Sequence, residues 1–170
     1  SKTMQDRAKY CVRLHGDAGF APGGSFYDAV YCLRNYGMVP QVEMEGLNYG
    51  EPMNKHGELV GVLKGYLSAV IKNPNRKLST AWHKGLNGIL DAYLGECPEK
   101  FVVDGKEYTP KTYAKDYLKL NADDYVSITS FTHEPFYSQF AIEVPDNWRW
   151  ELSYNVPMDE LMRLISIVIS

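Results

Sequence analysis

The sequence predicts an α+β fold, mainly helical, with a β-hairpin and short strands confined to its second half. Four segments before residue 95 repeat their apolar residues at helical spacing. "FVVDGKEY" sets two β-prone runs around Asp104-Gly105, a two-residue hairpin signal. "YVSITSF" and "FAIEV" alternate and are rich in β-formers. With 170 residues, 45% hydrophobic and 23% charged, the chain can build a real core as one domain or as part of a larger one.

Met4 to Leu14, "MQDRAKYCVRL", carries apolar residues at 4, 8, 11, 12 and 14, a helix ended by Gly16. "HGDAGFAPGG" is a loop by its glycine and proline content. Ser25 is the expected N-cap of the next helix, with Asp28 three residues on as the capping-box acid. Phe26, Ala29, Val30, Leu33 and Tyr36 share a face of that helix, and Gly37 closes it at C′. "MVPQVEM" reads as a short extended segment and "EGLNYGEPMNKHG" as a long loop. Glu58 to Lys72 places apolar residues at 59, 60, 62, 63, 66, 67, 70 and 71, a helix that "NPN" stops. Ser79 or Thr80 is the expected cap of another, running to about Leu94 with Trp82, Leu86, Ile89, Leu90 and Tyr93. Beyond the hairpin, Thr109 and Pro110 suit the N-cap and first turn of "KTYAKDYLKL". Pro157 opens a last helix, whose Asp159 and Glu160 complement the positive end of its dipole.

A net charge of −3 without a Lys/Arg cluster gives no footprint for nucleic acid. The 13 tyrosines, 6 phenylalanines and 3 tryptophans therefore read as core and groove lining. No apolar run is long enough to span a membrane. Cys11, Cys32 and Cys97 form neither a CxxC nor a metal-spaced set, so they are expected to be reduced and mostly buried. The closing "LMRLISIVIS" lacks a cap, turn or polar tail, which points to a fragment of a longer protein.

No self-sufficient catalytic constellation stands in these residues. Cys11 and His15 are spaced i, i+4, yet the ordinary account of each is a core thiol and a loop histidine. "HGD" at 15–17 and "HEP" at 133–135 pair a His with an acid but lack a third ligand at zinc spacing. His56 and His83 stand apart from both. Asp123-Asp124 suits a solvated turn better than a carboxylate pair. "PGGS" at 22–25 matches neither GxGxxG nor GxxxxGK, so no phosphate cradle, metal or cofactor is expected. Two glycines before a helix either ease the chain's entry or let a ligand approach bare backbone.

Four blocks in order carry a resemblance across nearly the whole chain. "GDAGFAPGGSFYDAVYCLRNYGMVP" resembles the segment after the nucleophile helix of papain-like cysteine peptidases, where Gly-Gly precedes a helix ending in Tyr-Gly. "CPEKFVVDGKEYTPKTYAKDYL", "NADDYVSITSFTHEPFYSQFAIE" and "YNVPMDELMRLI" resemble successive blocks of the bleomycin hydrolase and aminopeptidase C branch.

That resemblance implies the helical half of a papain-like enzyme plus the branch's helical insertion. Residues 1–45 would form the helical part of the substrate cleft, 46–120 the insertion, and 121–170 the strands and helix leading to the β half. In the family a Cys before Trp is the nucleophile, with His and Asn partners from the β half. None of these motifs occurs here, so no residue of this chain is expected to be catalytic. The implied substrate-binding residues are Gly24, pairing by its backbone with the second substrate residue, Gly23, permitting the turn, and Phe26, walling the adjacent pocket. Pro22 stands where family members carry Asn or Asp. The implied partner is a peptide substrate, and the intact parent would be a homo-oligomer. Aminopeptidase behaviour in the family depends on a C-terminal tail in the cleft, which these residues do not include. The competing expectation is a non-catalytic peptide-binding or assembly module. Since the apolar face of the second helix begins at Phe26, replacing Gly24 by Val is expected to change folding less than activity.

Overall fold

The computed structural model describes residues 1–50, 52–75 and 77–169. Among them the fold is mainly helical α+β, with six helices, a two-strand hairpin and a small mixed three-strand sheet. Glu51, within the expected long loop, and Ser170 lie outside the described residues. The chain divides into two compact units, Ser1–Pro22 with Cys32–Leu120, and Gly23–Tyr31 with Asn121–Ser170.

In the first unit, α1 (Lys2–Arg13), α3 (Gly57–Ile71) and α4 (Trp82–Leu94) pack around one apolar core. Its centre is two leucine rows at i, i+4 spacing: Leu59, Leu63 and Leu67 of α3, and Leu86, Leu90 and Leu94 of α4. Ala8, Cys11 and Val12 of α1 and Phe20 of the following loop complete it. Spacing of four keeps each row on one helix face, so the remaining apolar positions of α3 flank the core; Val62 is exposed.

The helix ends show which local signals decided the fold. α1 ends in a Schellman motif, with the Gly16 N–H donating to the Cys11 carbonyl at 2.9 Å and the His15 N–H to Val12 at 3.1 Å. The left-handed C′ position falls on His15 (φ +53°), one residue before the glycine expected to end the helix, while Gly16 follows at φ +92°. α2 (Phe26–Tyr36) closes on Gly37 as expected, at φ +78°. Gly37 also faces the backbone of Pro110, where a Cβ would overlap the carbonyl, and Met38 N–H donates to that same oxygen at 3.0 Å. α4 starts after Ala81, not at a Ser79 or Thr80 cap, and no side chain caps it. The segment expected to be extended around Pro40 instead forms a 3₁₀ turn over Gln41–Glu43.

The hairpin pairs β1 (Phe101–Val103) with β2 (Lys106–Tyr108), in register Phe101 to Tyr108. Asp104 and Gly105 both take positive φ, +50° and +77°, as a type I′ turn requires. Thr109 caps α5 (Pro110–Thr112) through a reciprocal box with Thr112, at 3.2 and 2.8 Å. The helix then widens into a π turn over Tyr113–Tyr117, a departure from the regular helix expected. This widening accompanies stacking of the Tyr113 and Tyr117 rings, 5.1 Å apart and 17° from parallel.

In the second unit the strands are shorter than the alternation suggested: β3 is Ile128–Thr129 and β4 is Gln139–Ala141. Between them lies β5 (Leu152–Asn155), which the sequence reading omits; it pairs parallel to β3 and antiparallel to β4. Its inward residues are polar. Ser153 and Asn155 are buried while Leu152 and Tyr154 are exposed. Asn155, fully enclosed, accepts from Phe131 N–H at 2.8 Å and donates to the carbonyls of Phe131, Glu134 and Pro135 at 2.9, 2.9 and 3.2 Å. α6 (Met158–Ile169) follows. No helix among the described residues is long and apolar enough to cross a membrane.

Candidate functional site

Gly23, Gly24 and Phe26 lie at the entry to α2, and every partner named for them belongs to the second unit. The anchor of this entry is Asp28. Its Oδ2 accepts from the Ser25 backbone N–H at 2.9 Å, the capping-box contact expected from the sequence. Its Oδ1 lies 3.1 Å from Nε of Arg149, and both side chains are almost wholly enclosed. A carboxylate in the first turn also complements the helix dipole.

Arg149 holds this entry from several directions. Its guanidinium lies 3.8 Å from the centre of the Tyr31 ring. Nη2 donates to the Tyr27 carbonyl at 3.2 Å and pairs with Glu151 at 3.0 Å. A planar cation that stacks and bridges two carboxylates is a role lysine cannot fill. The sequence reading assigned Asp28 only to the cap and did not find Arg149, because a partner 121 residues away leaves no local pattern.

Both glycines are exposed, and among the described residues no backbone hydrogen bond engages Gly24. Neither has spare room on its inner side. A Cβ on Gly23 would stand 2.7 Å from Oδ1 of Asp146, and one on Gly24 would overlap Oδ2 of Asp28. Replacing Gly24 by Val therefore displaces the capping carboxylate as well as obstructing the edge. The substitution thus carries a folding cost at the helix cap in addition to any effect on the edge.

Phe26 is 70% exposed, with its ring 6.0 Å from that of Tyr125. Together with Val30, Tyr125, Val126 and Ile128 it walls a cavity of about 280 Å³.

The remaining polar candidates do not assemble. Cys11 is buried, which pushes its thiol pKa up, while Cys32 and Cys97 are half-buried and all three are free. His15 sits exposed at the end of α1. His83 packs edge-on against Trp82, and burial, with Lys9 second, pushes its pKa down. Asp123 and Asp124 occupy a 3₁₀ turn capped by Asn121, whose Oδ1 accepts from Asp123 N–H at 3.1 Å. No group of three or more His, Cys, Asp or Glu able to hold a metal occurs among the described residues. No protein-family model matches the chain, and no curated protein is significantly similar to it.

Proposed function

We propose that this chain is the substrate-cleft and insertion portion of a papain-like cysteine aminopeptidase of the bleomycin hydrolase and aminopeptidase C branch. In this reading α1 and α2 belong to the helical half, the α3, α4 and hairpin region is the insertion, and β3 to α6 lead into the β half. What carries it is the exposed, unengaged backbone of Gly24 beside the cavity walled by Phe26. An extended peptide recognised there would pair its second residue with the Gly24 backbone, as an added strand does, and seat that side chain against Phe26. The intact, homo-oligomeric parent supplies the thiolate that attacks the peptide carbonyl, and a His that takes and returns the proton through an acyl-enzyme.

Purified alone, this chain is expected to hydrolyse no aminoacyl or peptidyl fluorogenic substrate, while the parent turns them over until alkylated. Alkylation-sensitive turnover by the isolated 170 residues overturns the proposal. The second reading is a non-catalytic peptide-binding or assembly module, which would use the same exposed Gly24 backbone and Phe26 cavity. It predicts that the parent binds peptide without turnover.

A further inference from the structure

The largest cavity described in the second unit, about 540 Å³, lies apart from the Phe26 cavity and shares no residue with it. Phe131, His133 and Phe140 form its aromatic wall, each ring edge-on to the next at 5.3 to 6.1 Å. Trp150 adds a fourth ring, 57% exposed. Glu134 and Glu143 also line it, and no lysine or arginine does among the described residues. Aromatic faces carry negative quadrupole potential, and two carboxylates with no lining cation add to it.

Two asparagines fix the loops that present these groups. Asn155 ties down the backbone of Phe131, Glu134 and Pro135 through four side-chain hydrogen bonds. Asn147 does the same for the opposite rim. It donates to the carbonyls of Ile142 and Glu151 at 3.1 and 3.0 Å and accepts from Glu151 N–H at 2.9 Å. Trp150 is held at φ +57°, its N–H donating to Asn147 O at 3.0 Å. A bulky residue seldom adopts that conformation unless its surroundings impose it. The cleft is thus organised before any ligand arrives, which lowers the entropy cost of binding.

We propose that this cleft binds an organic cation, an alkylammonium or guanidinium group on an apolar stem. The stem lies against Phe131, Phe140 and Trp150, and the charge faces Glu134 and Glu143. A lysine or arginine side chain of a peptide and a free amine share this chemistry. The site is separate from the peptide edge at Gly24 and does not depend on peptidase activity.

The test is a titration of the ¹⁵N-labelled chain, following the tryptophan indole N–H signals. Trp150→Gly assigns the relevant signal, since glycine accepts the positive φ without strain. Acetyl-arginine amide and acetyl-lysine amide probe the peptide source; agmatine and cadaverine probe the free amine. Saturable shifts of the Trp150 signal are expected with at least one pair, and the tighter pair identifies the source. Neutral acetyl-norleucine amide should bind at least about fivefold more weakly, and Glu134→Gln with Glu143→Gln should weaken the cations by a similar factor. No shift with any of the four cations overturns the proposal. Equal binding of the norleucine compound, or cation affinity unchanged in a double variant with otherwise native signals, does so as well.

Discussion

Asn155→Ala is expected to destabilise the second unit by about 3 kcal/mol or more, the summed cost of several buried groups left without partners. Asn155 is fully enclosed and makes four side-chain hydrogen bonds to the backbone of 131–135. Truncation strands the Phe131 N–H and the Phe131 and Glu134 carbonyls, while the Pro135 carbonyl keeps the Ser138 hydroxyl at 2.6 Å, and it leaves a void besides. Asn155→Asp keeps the acceptor for Phe131 N–H but turns a carboxylate oxygen toward the three carbonyls. Repulsion and burial both favour the protonated acid, so its folded pKa is raised above the ordinary value near about 3.9. The variant's deficit is therefore smallest below that value and grows as pH rises through the folded pKa. Urea unfolding of both variants, followed by tryptophan fluorescence at pH 4 and pH 7, measures this. A loss under about 1 kcal/mol for Asn155→Ala would remove the clamp from the account.

Gly37→Ala is expected to cost about 3 kcal/mol, from the left-handed backbone and the steric overlap together. At φ +78° any L-residue is strained, and the new Cβ meets the backbone of Pro110 and Lys111 rather than a side chain that can swing away. Gly105→Ala is the internal control. It has nearly the same φ, +77°, but nothing lies within 4 Å of its Cβ position. Only the conformational part, about 1 to 2 kcal/mol, should appear there. Equal losses at the two glycines would mean that the Pro110 contact is not felt.

Signals that act over a few residues were legible in the sequence; those joining distant segments were not. Asp104-Gly105 fixes a turn because both positions need positive φ, and Thr109-Pro110 starts a helix by filling its first hydrogen bonds. The leucine rows of α3 and α4 were visible as periodicity. β5 was missed because alternation is read by placing apolar residues inward, and "LSYN" turns Ser153 and Asn155 inward instead. Those polar groups are tolerable there only through partners such as Ser127, whose hydroxyl lies 2.8 Å from that of Ser153, and the 131–135 backbone. At the candidate site, the glycine pair stood out by its place before a helix, and Phe26 entered only as what the resemblance implies. The carboxylates behind the glycines and the Arg149 clamp required the folded chain.

The central claim is that Phe26 walls the pocket for the second substrate residue. Phe26→Ala tests it most directly, because a side chain 70% exposed can be removed at a stability cost of about 0.5 kcal/mol or less. The measurement is kcat/KM of the proposed parent enzyme, freed of any cleft-occupying tail of the kind the resemblance implies, on N-blocked substrates carrying leucine or glycine as the second residue. The account predicts a drop of about tenfold or more for leucine and little change for glycine, which has no side chain to seat. Unchanged turnover of the leucine substrate, or an equal loss on both, would contradict the assignment of Phe26 and the glycine edge beside it.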